Sequence, residues 1–289
     1  MRRFFFFLLV LGLGGVGLLR ADVNVQAAQR GLKQAGFYFG DATGVYDSET
    51  AAAVTRFQIR SGLPITGKLD AATAKALGVA SAKSAAAAPG PASGTWRRLR
   101  NGDMQFLKQV NSGAIPPPHS PGQVVAPQVA KAQMDPHGPP PPVEDASPVG
   151  RLPGSPVLAP SRTGLTELLR DYVGAFVLAG LDPQVGAELE FFADRVDYFG
   201  EQNVTREKIR RDLGRYDEQW PQRRFWLAGD LRVDEMERGI IKVSFPLRYE
   251  LASGSRHASG EVMKTLKLRR TGTDDFEIVA VGERKAQDR

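Results

Sequence analysis

Apolar positions recur along the chain in two distinct rhythms. Val25, Ala28, Leu32 and Ala35 are spaced by three and four residues, the stripe of an amphipathic helix, and Gly36 supplies its stop. Asp47 precedes Ser48-Glu49-Thr50 and the apolar set Ala53, Val54 and Phe57, which predicts an Asp-capped second helix closed by Gly62 and Pro64. Asp70 caps a third, shorter one carrying Ala74 and Leu77. A second helical stretch holds Leu165, Leu168, Leu169, Tyr172, Val173, Phe176 and Val177, the rhythm of a firmly buried helix. Pro183 then opens a helix with Val185, Leu189 and Phe192, and Val196–Phe199 is a brief extended piece before Gly200. Asn203 or Thr205 caps a helix carrying Ile209, Leu213 and Tyr216, which Trp220-Pro221 closes.

Beyond Trp220 the period changes to two. Phe225, Leu227, Leu231 and Val233 alternate with polar residues, as do Ile241, Val243, Phe245, Leu247, Tyr249 and Leu251; Val262, Leu266 and Leu268 follow, then Phe276 to Val281. Glu237-Arg238-Gly239, Ser253-Gly254-Ser255 and Thr271-Gly272-Thr273 supply turns, so the pattern predicts an antiparallel meander. Pro246 has no N–H for a ladder and marks a bulge or an edge position.

Composition separates these two regions. Of 20 prolines, 16 lie between Pro89 and Pro160. With the Ala/Ser run at 80–88, residues 79–163 read as an extended, disordered linker that cannot bury enough apolar surface to offset its chain entropy. Within it, Trp96 to Val110 offers Trp96, Leu99, Phe106, Leu107 and Val110 to one helical face. Because Asn101-Gly102 is a turn dipeptide, a linker patch is expected there rather than a docking helix.

At the N-terminus Arg2 and Arg3 precede the apolar run Phe4–Leu19, with small Ala21 at a cleavage position, the layout of an export signal over residues 1–21. Leu19 is large for the third position before such a cut, so an uncleaved N-terminal anchor is the alternative, and it is the one membrane attachment expected. The net charge of +6 resides outside the foldable regions: residues 1–21 carry +3, 22–78 carry +1, 79–163 carry +4 and 164–289 carry −2. A nucleic-acid binder needs its basic residues clustered on a folded face, so that class is excluded. The chain contains no cysteine, which excludes disulfides, thiolate metal sites and a lipoprotein acyl anchor.

Residues 22–78 carry Gln29, Leu32, Gly36-Phe37-Tyr38, Gly40, Gly44-Val45-Tyr46, Thr50, Ala53-Val54, Phe57-Gln58, Gly62-Leu63, Thr66-Gly67, Asp70 and Thr73. In this order and spacing they resemble the peptidoglycan-binding-domain-1 family; Thr43 and Asp47 depart from its pattern around the second turn. The resemblance implies a three-helix, non-catalytic wall-binding module. Exposed aromatic rings and a guanidinium suit sugar faces and stem-peptide carboxylates, which makes Tyr38, Phe39, Tyr46 and Arg60 the candidate peptidoglycan contacts. The competing reading places Phe37, Tyr46 and Phe57 in the core of so small a domain.

Residues 164–289, with helices first and strands after, resemble the NTF2-like superfamily. Arg195-Val196-Asp197-Tyr198-Phe199, Thr205-Arg206-Glu207 and Trp220-Pro221-Gln222-Arg223-Arg224 are similar to its bacterial envelope members. The expected architecture is multidomain: a small three-helix bundle, a Pro-rich linker, then an α+β cone of three helices packed on a curved antiparallel sheet. The superfamily includes enzymes, binding domains and dimerisation domains, so the resemblance implies a homodimer as one arrangement open to the cone.

No catalytic constellation emerges. Asp197 and Tyr198 could serve as base and donor but read more simply as turn residues; His257 reads as a turn histidine facing water; Lys264 falls on the apolar-facing parity of its strand. Of three histidines, His119 and His137 lie in the linker, and no metal site and no cofactor are expected. Two functions follow for a protein of the periplasm or cell envelope. One is a non-catalytic peptidoglycan binder that presents a partner- or ligand-binding cone. The other is a wall-localised enzyme with its active site in the cone.

Overall fold

Three aspartates set the helix starts of the N-terminal module. In the computed structural model, which describes residues 22–79, 94–100, 103–112, 162–182, 186–272 and 275–285, Asp22 accepts the Asn24 N–H at 2.8 Å and opens α1 (Val23–Gln34). Asp47 accepts the Thr50 N–H at 2.8 Å to open α2 (Ser48–Arg60), and Asp70 accepts that of Thr73 at 2.9 Å to open α3 (Ala71–Ala76). Each bond satisfies an N–H that a helix start otherwise leaves bare. Residues 1–21, where an export signal is expected, and most of the proline-rich stretch lie outside the described residues.

Two fully buried glutamines hold the loops between these helices. Gln29 donates to the Val45 carbonyl at 3.0 Å and accepts the Gly44 N–H at 2.8 Å. Gln58 accepts the N–H groups of Thr66 and Gly67, both at 3.0 Å, and donates to the Lys68 carbonyl at 3.0 Å. A side-chain amide carries both donor and acceptor, so one residue closes a loop that no strand or helix closes. At the second turn, the Thr43 hydroxyl oxygen accepts the Val45 N–H at 3.2 Å.

The stretch expected to be linker is partly structural. Residues 95–100 form α4 (Thr95–Arg100) and residues 104–111 form α5 (Met104–Asn111), flanking Asn101-Gly102, which lies outside the described residues. Trp96, Leu99 and Phe106 are at most 1% exposed, so these helices are mortar rather than spacer. They pack on α6 (Arg162–Ala179), and Asp103 caps α5 through the Gln105 N–H at 3.0 Å. Trp96 meets Phe191 with ring centroids 5.2 Å apart, and Phe106 stacks on Phe37 at 6.0 Å. Packing against two bodies supplies the apolar burial that the segment lacks in isolation.

After α6, Ala187–Phe191 is one 3-10 stretch where a full helix was expected; Pro183 and Val185 lie outside the described residues. Phe192 already belongs to β1 (Phe192–Tyr198), which turns at Phe199-Gly200 into β2 (Glu201–Thr205). Thr205 accepts the Lys208 N–H at 3.3 Å and opens α7 (Arg206–Gln219). Then come β3 (Gln222–Leu227), β4 (Arg232–Glu235), β5 (Ile240–Ser253), β6 (Arg256–Arg270) and β7 (Phe276–Lys285). The sheet order is β2-β1-β7-β6-β5-β3, with β4 also on β5. The meander is antiparallel as expected, but β1 runs parallel to β7, so the sheet is mixed. The chain can make that pairing because everything from β2 to β6 intervenes as the crossover.

Pro246 occupies the break between two partners of β5. Leu247 to Ala252 pair with β3 and Ile241 to Ser244 with β4, and the Pro246 carbonyl accepts the Ala228 N–H at 2.9 Å from the connection between them. Its missing N–H faces that gap, an edge position inside a central strand.

The two regions share one apolar core. Gly174 on α6 lies where an added Cβ would stand 2.3 Å from Ile59 Cδ1 of α2, and the Ile65 N–H donates to the Phe225 carbonyl at 2.9 Å. Around this contact is a buried ion network. Arg56 Nε donates to Asp171 Oδ2 at 2.7 Å and its Nη1 lies 3.3 Å from Asp103 Oδ2. Arg60 pairs with Glu167, which lies 3.4 Å from Arg170 Nε. Both guanidinium carbons also sit about 5 Å from the centre of the Phe106 ring, Arg56 at 5.1 Å and Arg60 at 5.0 Å.

A shared core predicts one cooperative unfolding transition for both regions in urea, followed by far-UV circular dichroism and by Trp fluorescence. Asp171→Ala strands the buried Arg56 and should lower stability by ~3–5 kcal/mol, and Trp96→Ala by about 3–5 kcal/mol through the cavity it leaves. Two separate wild-type transitions, or losses near zero, would contradict the shared core.

Candidate functional site

A cavity of about 550 Å³ opens between the C-terminal half of α6, one face of α7 and the inner face of β5, β6 and β7. Part of its wall is an aromatic series: Phe176 packs edge-to-face on Phe192, Phe192 on Tyr198, and Tyr198 on Phe199. Tyr216 of α7 and Tyr249 of β5 line it as well.

Five charged residues belong to this wall. Glu188, from the 3-10 stretch, is 6% exposed and lines the cavity; among the described residues no cation lies within ion-pair distance of its carboxylate. Lys264 stands opposite Glu283 in the β6–β7 ladder, with Nζ 3.7 Å from Oε2. Arg223 pairs with Asp217 and donates to the Gly180 carbonyl at 2.9 Å. Asp212, at the α7 rim, pairs with Arg215.

Burial governs how Glu188, Lys264 and Arg223 titrate. It pushes the Glu188 carboxyl up, against the opposing pull of Arg223 and Lys264. Burial also holds the Lys264 ammonium below the usual lysine range, opposed by Glu283 and then Glu188. The hydroxyls of Tyr198 and Tyr216 are each pushed up to about 12, again mainly by burial, so both stay protonated donors at neutral pH.

The mouth carries backbone strain. Phe199 has φ 49°, a left-handed conformation uncommon for a bulky side chain, and Gly200 follows at φ 91°. The Phe199 N–H donates to the Val281 carbonyl at 2.9 Å, which ties the turn to β7 and leaves the ring 46% exposed with Lys264 Nζ 5.6 Å from its centre.

The residues weighed from sequence fall in different places. Lys264 lines the cavity, as its strand parity implies, and so does Tyr198. Asp197 points to solvent on the other face of β1, 3.4 Å from the Asn203 N–H, so it does not join Tyr198. His257 is exposed at the start of β6, outside the cavity wall. Glu188, Glu283 and Arg223 were not anticipated. Glu283 was legible, because it shares the inward parity of Val281, whereas Glu188 sits in a stretch with no periodic pattern.

The four candidate wall contacts divide in two. Tyr38 is 3% exposed and its hydroxyl donates to the Asp41 carbonyl at 3.0 Å; Arg60 is 5% exposed and sits in the ion network against α6, where burial pulls its guanidinium down to about 10. Neither is presented to solvent, because the core and α6 take up their faces. Phe39 and Tyr46 are half-buried, and the Tyr46 hydroxyl donates to the Gly67 carbonyl at 2.6 Å.

Residues 22–77 match the family described as "Putative peptidoglycan binding domain". A comparison with curated proteins finds no match. Among solved structures, the chain is similar to Aln2 from a Streptomyces species at 13% identity and TM-score 0.38, over 44% of this chain and 93% of that one. It is similar to an NTF2-like superfamily protein from Salmonella enterica at 11% identity and TM-score 0.34, over 43% and 89%. Bd1075 from Bdellovibrio bacteriovorus is similar at 13% identity and TM-score 0.35, over 43% of this chain and 41% of its own.

A carboxyl that holds its proton more tightly folded than unfolded favours folding at low pH, and that contribution is lost as pH rises through the interval up to the folded value. Glu188 is such a group. The stability of the natural chain relative to Glu188→Gln should therefore fall as pH rises from the acid side to neutrality, read from urea midpoints across a pH series. A relative stability that rises with pH would show that the carboxylate is stabilised where it lies.

Proposed function

We propose that this chain is an exported cell-envelope protein whose N-terminal module binds peptidoglycan and whose C-terminal cone binds a small organic ligand. The observation that carries the second half is the cavity: about 550 Å³ lies within the ~300–1,000 Å³ of ordinary small-molecule sites. Its largely apolar wall, aromatic and aliphatic, with a few charged groups is the composition such sites share. The family match at residues 22–77 supports the first half and, with it, a place in the envelope.

Wall contact falls to Phe39 and Tyr46, the two candidates with ring surface left to offer. Tyr38 supports that loop from beneath, and Arg60 acts by fixing α2 against α6. Two modules on one core make the wall module a mount for the cavity, and the ligand is met at the sacculus.

A second reading, a wall-localised enzyme, is favoured by one observation: Glu188 is a carboxyl raised by burial in the same cavity as the donor hydroxyl of Tyr198. Such a pair can move a proton at a bound substrate. Turnover that Glu188→Gln abolishes would favour this reading over plain binding.

The wall half is tested on the whole chain, since cutting at residue 164 would bare the α6 face that covers α2. Full-length protein should co-sediment with purified sacculi, and Phe39→Ser should reduce retention several-fold while the variant still unfolds in one cooperative transition. Equal retention of both proteins would remove Phe39 from the contact, and no retention of the natural chain would sink wall binding.

A further inference from the structure

We propose that the cavity takes an organic cation, an ammonium or amidinium group on an aromatic or aliphatic body, with Glu188 as its counter-ion. This rests on reading the cone as a small-molecule site.

Charge pairing points to it first. Each cation of the wall already has its own carboxylate: Arg223 is held by Asp217, and Lys264 faces Glu283 at 3.7 Å. Glu188 has no ion-pair partner among the described residues and is more than nine-tenths buried. The unmatched charge inside the cone is therefore negative, and Asp212 adds to that sign at the rim. A buried carboxylate without a partner is costly, and a ligand cation beside it relieves that cost.

The wall selects in the same direction. Aromatic faces carry negative potential and attract ammonium groups within about 6 Å of the ring centre. The series Phe176, Phe192, Tyr198 and Phe199, and Tyr216 with them, lines the same cavity as Glu188. The mouth already shows the preference, since Lys264 Nζ rests 5.6 Å from the Phe199 ring centre. An anion would meet both Glu188 and those ring faces.

The cation also competes with a proton. Glu188 is faced by Arg223 from β3, Lys264 from β6 and Asp182 after α6, and burial outweighs the two cations, so its carboxyl takes up a proton above the usual range. Cation binding should accordingly tighten as pH rises through the Glu188 titration, and Glu188→Gln should flatten that dependence.

Isothermal titration of the full-length protein with benzyltrimethylammonium, benzyl alcohol and benzoate separates the outcomes. The expected order is the cation tightest, with Glu188→Gln weakening it at least tenfold and leaving benzyl alcohol unchanged. Lys264→Met, which removes a competing positive charge, should tighten the cation and serves as a second test should Glu188→Gln fail to fold. Benzoate or benzyl alcohol binding as well as the cation, or a cation affinity indifferent to both substitutions, overturns the ligand class and leaves the cavity reading standing. No binding of any probe overturns the cavity reading itself.

Discussion

A guanidinium withdrawn from water must be met by carboxylates, and the two inward arginines of α2 are met only by residues from other parts of the chain. Asp171 and Glu167 come from α6 and Asp103 from the cap of α5, and all but Asp103 are under 9% exposed at the side chain. Little water reaches these groups once α5 and α6 are seated, so the same elements that bury Arg56 and Arg60 must bring the carboxylates that offset their desolvation. The apolar contacts are placed by this constraint: Phe106 lies against both guanidinium groups, and Gly174 lets Ile59 approach the α6 backbone.

One helix carries both consequences. Glu167, Asp171 and Gly174 of α6 meet the module, while Phe176 and Val177 line the cavity. At 18 residues it spans about 27 Å. The seat of the N-terminal module and part of the cavity wall are thus built on one helix. The cone closes over it because β1 returns alongside β7, which brings Glu188 and the strained Phe199 turn to the same end as Lys264 and Glu283.

Much of this was legible. Asp47 and Asp70 cap where the local pattern places them, and the period-two run from Ile241 to Leu251 is β5. What escaped shares a physical cause: it depends on partners distant in sequence. The helices at Trp96 and Phe106 are short, basic and set in proline-rich chain, and their stability comes from surfaces supplied by α2 and α6. Arg60 at the end of a predicted helix looks solvent-facing until Glu167, more than one hundred residues on, covers it. The parallel pairing of β1 has no local signature, and β2 is too brief to show alternation. Glu188 could not be singled out, since a lone acid beside Leu189 and Phe191 looks like any solvated residue until the cavity forms around it.

The proline-rich stretch acquires a different meaning from this arrangement. It departs from the end of α5 at Asn111 and re-enters at the start of α6 at Arg162, and both helices belong to the same packed body. A segment that leaves and returns to one body is an excursion, not a leash. Its contour length therefore sets no distance between the N-terminal module and the cavity, because both are built on the one core. A force applied to the N-terminal module would pass through α2 and its arginines into α6 and the sheet.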